Sequence, residues 1–193
     1  QQSTDQNQSF EMGFVAFGDS GYYYDYLKPS QINEVYTTKE AYLASQKADW
    51  LDDKKLPEEF LPVPPYYLSS IGGYLEASGL FPVAQSMKTY CQSSDCQFSV
   101  MLGDNIYPDG ATLGADGKDD ATRFDTLFTK PYGDLGEGNP DYKVYVALGN
   151  HDWRTSRAGA MAQVEFMEST APFYMDGLFY SVKPPAANDE VEL

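Results

Sequence analysis

The sequence predicts an α/β fold, and three observations support that class. Three short, β-prone apolar segments, at residues 10–17, 98–102 and 142–148, each end at a glycine followed by a small polar residue. Segments with helical spacing of apolar residues lie between and after them. Buried strands that stop at such turns and alternate with helices are typical of α/β architecture. We therefore expect the three strands to be adjacent and mostly parallel.

The helices are predicted from capping and from periodicity. Thr37 and Glu40 form a capping box before an apolar run, which predicts a helix that ends near Leu51. Further helices are expected over residues 82–90, 119–128 and 157–169. A strand is predicted over residues 178–183 and the start of another over residues 190–193. Because the sequence stops there, we expect that residues 1–193 are cut inside a domain.

A long tyrosine- and proline-rich stretch, residues 22–81, interrupts this alternation. It contains three consecutive tyrosines at 22–24 and a mixed proline and tyrosine run at 62–67. A loop between a strand and a helix ordinarily has about 2–6 residues. The stretch is therefore expected to be an insertion or a lid close to the turn after the first strand.

Composition excludes some classes of protein. The net charge is −16, with 13 basic and 29 acidic residues, whereas nucleic-acid binding requires a basic surface. No apolar run approaches the roughly 18 residues that span a bilayer. In so acidic a chain, any site that handles phosphate needs positive charge from another source, and bound metal ions supply it.

Two cysteines and a polar start bear on the compartment. Cys91 and Cys96 are too few for a zinc site made of cysteine alone, so a disulfide in a tight loop and two unpaired surface thiols are the alternatives. Residues 1–8 are polar, which fits a mature terminus after removal of a signal peptide, or simply an expression end. A disulfide and this start together favour a periplasmic or secreted protein.

The residues that follow the three strands are candidate ligands. Asp19, Asp104 and Asn150 each come directly after a glycine that ends a predicted strand. In an open α/β sheet, ligands bind beyond the carboxyl ends of the strands, so these side chains are expected to converge. Carboxylate and amide oxygens suit hard or borderline cations. A single such turn is weak evidence, since Asp and Asn favour turns for other reasons.

Taken together, the three motifs resemble a known signature. Residues 18–21 (GDSG), 103–107 (GDNIY) and 149–152 (GNHD) are similar to the GD-x-G or GD-x-H, GDN and GNH-D/E motifs of calcineurin-like metallophosphoesterases. Within that superfamily the chain resembles the purple, tartrate-resistant acid phosphatases, because Gly21 stands where most members have histidine and Tyr107 follows the second motif. The resemblance implies two sheets sandwiched between helices (αββα), of which this chain is the N-terminal part.

The resemblance also implies a centre with two metal ions, Fe(III) and a divalent Fe, Zn or Mn ion. Asp19 and Tyr107 would bind the ferric ion, Asp104 would bridge both ions, and Asn150 would bind the divalent ion. Two cations held close together clamp a phosphate ester and generate a nucleophilic hydroxide. The implied activity is hydrolysis of phosphate esters.

The remaining motif residues are implied to act on the substrate and on its supports. His151 would hydrogen-bond the ester and protonate the leaving group. Asp152 would orient His151 from behind, and Asn105 would support the ligands. The expected partner molecules are a phosphate-ester substrate and a missing C-terminal segment of the same protein.

The implied ligand set is incomplete in this sequence. The resemblance requires three more histidines from later strands, including a Gly-His-x-His motif, and the sequence has one histidine, His151. Three explanations are open. The gene product continues past Leu193, the chain is one inactive fragment of a cleaved two-chain enzyme, or the protein is a non-catalytic relative that binds a partner.

Overall fold

The computed structural model describes residues 11–26, 34–187 and 189–193. The chain divides into two compact units, one formed by Gln1–Tyr22 with Leu80–Leu193 and the other by Tyr23–Gly79. The first residue of the first predicted strand, Phe10, lies outside the described residues.

A four-stranded parallel sheet forms the centre of the larger unit. Its order is β1 (Gly13–Phe17), β4 (Cys96–Leu102), β5 (Val144–Ala147) and β6 (Phe173–Tyr174). Each neighbouring pair is parallel. This confirms the α/β class and the expectation that the first three strands are adjacent and parallel.

Helices cover one face of this sheet. They are α2 (Leu80–Ser94), α3 (Asp120–Phe124) with a π-helical turn (Asp125–Thr129), α4 (Lys130–Tyr132) and α5 (Arg157–Ser169). Phe17 of β1 packs on Tyr132 with ring centroids 4.7 Å apart, and Phe173 of β6 lies 6.2 Å from Phe128. The buried core therefore lies between the sheet and this helical layer. The predicted helix over 157–169 is confirmed, and that over 82–90 extends further in both directions.

The opposite face of the sheet is apolar and partly exposed. Phe14 is 45% exposed and Leu102 is 60% exposed, and Ala16 and Ala147 on the same face are exposed as well. These residues share a face because Phe14 pairs with Phe98, and Leu102 with Ala147, in the strand register. The first strand was predicted to be buried, but its residues are half-buried on the face that the helices cover and exposed on the other face.

Two strands that were predicted near the end of the sequence do not form. Residues 178–183 do not form a strand; the Tyr180 hydroxyl instead donates to the Val146 and Tyr174 carbonyls, at 2.8 and 3.2 Å. Residues 190–193 are also not a strand; Leu193 exchanges backbone hydrogen bonds with Val182, and the Glu190 amide donates to the Ala187 carbonyl in a turn. A short alternation of apolar residues therefore predicted strands that do not form. In their place, the Tyr180 side chain and the Val182–Leu193 backbone pair make the hydrogen bonds.

The smaller unit contains α1 (Lys39–Asp52) and a hairpin of β2 (Pro65–Leu68) and β3 (Gly73–Glu76). Helix α1 is capped by Thr38, whose hydroxyl oxygen accepts from the Ala41 amide at 3.1 Å. The cap is thus one residue later than the predicted Thr37.

Cys91 at the end of α2 and Cys96 at the start of β4 lie at disulfide distance, with Cα atoms 4.7 Å apart. This supports the disulfide alternative over two unpaired thiols, and it is compatible with an oxidising compartment. Among the helices of the described residues, none is both long and apolar enough to cross a membrane.

Candidate metal centre

The three predicted turns lie at the same edge of the sheet. Because β1, β4 and β5 are parallel neighbours, the residues that follow them share its carboxyl end. The turns after β1 and β4 are hydrogen-bonded, as the Asp19 amide donates to the Gly103 carbonyl at 3.1 Å and the Gly21 amide to the Asp104 carbonyl at 3.3 Å. The first two candidate aspartates are therefore held next to one another by backbone contacts.

Glycine is required at this edge because backbones approach one another closely. A Cβ atom on Gly149 would lie 2.3 Å from both the amide nitrogen and Oδ1 of Asp104. Asp19 and Asp104 have positive φ angles, 54° and 53°, in the left-handed region that side chains other than glycine rarely adopt. Backbone strain of this kind concentrates at functional sites because it directs side chains that an ordinary turn would direct elsewhere.

Three side-chain oxygens meet at this edge. The Tyr107 hydroxyl donates to Asp19 Oδ1 at 2.5 Å and to Asp104 Oδ2 at 3.0 Å. The other oxygen of Asp104, Oδ1, accepts from the His151 amide at 2.9 Å. Asp104 and Tyr107 are 3 residues apart in the sequence, but Asp19 lies 88 residues before Tyr107, so the fold brings Asp19 to the other two.

The phenol of Tyr107 is held in its neutral form in this arrangement. Burial raises its pKa, and the hydrogen bonds and negative charges of Asp19 and Asp104 raise it further. A phenolate there would add a third negative charge to two carboxylates. A cation among these oxygens would reverse that effect, because a bound metal is the largest local charge and favours deprotonation of its ligands.

The donor set partly fits the implied metal ions. Two carboxylates and a phenol oxygen are hard ligands of the kind that ferric and other hard cations take. Asn150, the fourth predicted ligand, follows β5 at the same edge and is exposed. Within residues 11–26, 34–187 and 189–193, no group of three or more His, Cys, Asp or Glu side chains is placed to hold a metal. Asp19 and Asp104 become a group of three hydrogen-bonded candidate ligands only when the Tyr107 hydroxyl is counted.

Asp152 is fully buried and binds backbone amides. Its carboxylate accepts from the amides of Asn105, Ile106 and Gly149, at distances from 2.8 to 3.1 Å. Burial raises the pKa of this carboxyl to about 6, although the three amide hydrogen bonds act to lower it. Asp152 was expected to orient His151; its hydrogen bonds go instead to the turns after β4 and β5, which it joins.

Asn105 makes a second link between the same two strands. Its side-chain nitrogen donates to the Ala147 carbonyl at 2.8 Å, and the residue is fully buried. Its side-chain oxygen has no hydrogen-bond partner among the described residues. Asn105 therefore supports the turn that carries Asp104, in keeping with the supporting role that the resemblance implies.

The ring of His151 contacts the turn after β4. Its Nδ1 lies 2.7 Å from the Pro108 carbonyl oxygen and 2.8 Å from Nη1 of Arg154. The Tyr107 ring packs against it with centroids 4.3 Å apart. The candidate proton donor is thus beside a candidate metal ligand, as the motifs predicted.

A buried ion pair supports the loop that follows Pro108. The Arg123 guanidinium, 2% exposed, lies 2.5 Å from Asp116 Oδ2 and 3.5 Å from the Gly110 carbonyl. The Gly110 amide in turn donates to the His151 carbonyl at 2.9 Å. Burial acts to raise the pKa of Asp116, but hydrogen bonds outweigh it and lower the pKa to about 2. The donors are Thr112, the Lys118 amide and Arg123.

Sequence reasoning missed two groups that contact His151, namely the Pro108 carbonyl and Arg154. A backbone carbonyl leaves no mark in a sequence, because every residue has one. Arg154 had a signal, since it is a basic residue three positions after the candidate proton donor in a strongly acidic chain.

A comparison with models of known protein families finds no match to this chain. A comparison with curated proteins finds none either. The motifs and the geometry of the site are therefore the basis for any functional conclusion.

Proposed function

We propose that this protein is part of a metal-dependent hydrolase of phosphate esters. The hydrolase would have a two-metal site of the Fe/Zn type, as in acid phosphatases. The observation that carries the proposal is the convergence of Asp19, Asp104 and Tyr107 at the carboxyl edge of the parallel sheet, where one oxygen of each aspartate lies within 3.0 Å of the Tyr107 hydroxyl. His151, in contact with Tyr107, supplies the acid–base group that such a reaction needs.

Each residue has a role in the proposed reaction. Asp19, Asp104 and Tyr107 would hold the ferric ion, and Asp104 and Asn150 would hold the divalent ion. The ions, when bound, neutralise the phosphate and lower the pKa of a water nucleophile. His151 gives a proton to the departing alkoxide oxygen, which is a poor leaving group without it. Asp152 keeps the two ligand-bearing turns together through backbone amides.

Arg154 is proposed to contact the phosphate. Its side chain is exposed, and Nη1 lies 2.8 Å from the His151 ring. In the part of the chain that the structure describes, no Asp or Glu carboxylate lies within 4.0 Å of its guanidinium. A guanidinium matches the geometry of phosphate oxygens. Arg154→Met should raise KM for a monoester roughly 10–100-fold, the worth of a hydrogen bond to a charged group.

The proposal includes a further segment that completes the site. The ligands named above are too few to retain two catalytic ions, and the resemblance assigns the missing ligands to histidines on later strands. The exposed apolar face that contains Phe14, Ala16, Leu102 and Ala147 supports a covering segment, because a second sheet packs on such a face in a sandwich. Export to a periplasmic or extracellular compartment is part of the same proposal, and the Cys91–Cys96 pair supports it.

The same exposed face also favours a second candidate, a non-catalytic protein or one inactive fragment of a cleaved enzyme, whose partner covers that face. The two candidates differ in what the complete gene product does with p-nitrophenyl phosphate. A hydrolase turns it over when iron and zinc are supplied, and the 193-residue chain alone does not. A non-catalytic binding protein does not turn it over in any form.

Activity measurements with three proteins test the roles. In the complete product, Asp104→Ala should abolish turnover because the bridge serves both ions. His151→Ala should lower kcat by about 10²–10⁴-fold with the metal content unchanged. Asp109→Ala is the matched control, since Asp109 is exposed on the same loop. No hydrolysis by the wild-type product with both metals supplied would overturn the proposed function.

A spectroscopic test addresses the metal ligand directly. Coordination of Fe(III) by a phenolate gives a charge-transfer band in the visible range. Adding a chelated Fe(III) salt to the complete gene product should produce this band, and Tyr107→Phe in the same product should remove it. Tyr67→Phe is the control, because Tyr67 is 51% exposed on β2 and lies outside the cluster. An equal band in the Tyr107 variant would contradict the assignment.

A further inference from the structure

We infer that the Pro108 carbonyl oxygen is the positioning group for His151, and that it keeps a proton on Nδ1 and leaves Nε2 as the unprotonated nitrogen of the neutral ring. The catalytic use of Nε2 rests on the proposed function, whereas the position of the proton does not. The inference starts from two groups that contact one ring nitrogen, His151 Nδ1.

The two contacts at Nδ1 exclude one another in a neutral imidazole. The Pro108 carbonyl oxygen, 2.7 Å away, can only accept a hydrogen bond. The Arg154 guanidinium, 2.8 Å away, is always protonated and can only donate. If Nδ1 has a proton, two donors face each other; if it has none, two acceptors face each other at 2.7 Å.

The cost of relieving each clash decides between them. The Pro108 carbonyl belongs to a backbone held on both sides, since the Tyr107 amide donates to the Gly21 carbonyl at 3.0 Å and the Gly110 amide to the His151 carbonyl at 2.9 Å. Arg154 is an exposed side chain with several rotatable bonds, so its rotation away from the ring costs little. The protonated Nδ1 therefore stays hydrogen-bonded to the Pro108 carbonyl, and the Arg154 side chain rotates away from Nδ1.

Arg154 has a place to go without leaving the site. Its Nη1 lies 3.4 Å from the same Pro108 oxygen, and a carbonyl oxygen has two lone pairs. Both His151 Nδ1 and Arg154 can thus donate to this one acceptor. The Tyr107 ring packs against the imidazole with centroids 4.3 Å apart, which restricts rotation of the imidazole. A hydrogen bond from Nδ1 to a backbone carbonyl is a common device for fixing which nitrogen faces a substrate.

Nuclear magnetic resonance of the 193-residue chain tests the inference, because His151 is its sole histidine. The imidazole nitrogens are observed in nitrogen-15-labelled protein, at a pH at which the ring is neutral, and their shifts report which nitrogen has the proton. We expect the Nδ1–H form in about tenfold excess over the Nε2–H form. Arg154→Met should leave that ratio unchanged, as should the control Arg157→Met, an exposed residue at the start of α5.

Each other outcome overturns the inference. A predominant Nε2–H form in the wild type that becomes Nδ1–H in Arg154→Met would make Arg154 the partner of the ring. A predominant Nε2–H form in both proteins would mean that neither contact fixes the proton. The measurement needs neither metal nor substrate, so a failure here is distinct from an absence of phosphatase activity, which would overturn the proposed function and the catalytic use of Nε2 with it.

Discussion

Replacing Asp152 with asparagine tests whether this carboxylate joins the two ligand-bearing turns. The wild-type carboxylate is fully buried and accepts from the backbone amides of Asn105, Ile106 and Gly149. An asparagine of the same shape presents one acceptor oxygen and one NH₂ group, which cannot accept. At least one amide then faces another donor inside the protein, and the hydrogen bond that remains loses its charge assistance.

The magnitude follows from these contacts. A hydrogen bond to a charged group contributes about 1.5–3 kcal/mol, and the equivalent of two is lost, so the free energy of unfolding should fall by about 3–6 kcal/mol. The carboxyl has a pKa of about 6, so unfolding is measured at pH 7.5, where it is ionised in the folded protein. The free energy of unfolding of a natural domain is about 5–15 kcal/mol, so we expect the variant to remain folded with a small margin of stability.

Urea unfolding followed by circular dichroism measures the effect. Asp109→Asn is the matched control, because this aspartate is exposed on the adjacent loop, and its change should lie within about 0.5 kcal/mol of zero. A loss below about 1 kcal/mol in Asp152→Asn would refute the reasoning, since it would mean that the buried carboxylate is not needed by the amides around it.

Three further outcomes are expected. The pKa of Asp116 is about 2 in the folded protein, below its ordinary value, so the ionised carboxylate stabilises the fold above pH 4 and this stabilisation is lost as the pH falls through 2. Between pH 5 and pH 2 the free energy of unfolding, measured with urea, should therefore fall by about 2 kcal/mol more in the wild type than in Asp116→Asn. Gly149→Ala places a Cβ atom 2.3 Å from Asp104, which should cost about 1–3 kcal/mol and remove the Fe(III) band, whereas Gly18→Ala, with its nearest contact at 3.5 Å, should keep the band. Titration of the native protein with a thiol reagent should find no reactive cysteine, and two would contradict the Cys91 pairing.

Much of the fold could be predicted from local patterns. The strands at 98–102 and 142–148 and the helix at 157–169 were found because each is long enough to show its period. Strand β6 (Phe173–Tyr174) was missed, since two residues show no alternation, and residues 178–183 were predicted as a strand that does not form. In both cases packing against the sheet decided the outcome, and packing is not encoded in a short window of sequence.

The sequence by itself determined which residues lie at the candidate site. Glycine followed by a small polar residue marks the end of each buried strand, and parallel strands place such ends at one edge of a sheet, so Asp19, Asp104 and Asn150 could be assigned to that edge without a structure. Tyr107 and His151 became candidates through the resemblance of the three motifs to those of metallophosphoesterases. The assignment to this edge depends on residue type and on the parallel direction of the strands.

Only the tertiary structure decided what each of these residues touches. Asp152 was expected beside His151 and is instead bonded to backbone amides of two turns, and the ring of His151 lies against the Pro108 carbonyl. The physical reason is that buried backbone groups must find partners wherever the chain passes, and those partners are fixed by distances between segments rather than by residue type. Neighbours in sequence, such as His151 and Asp152, therefore need not be partners in space.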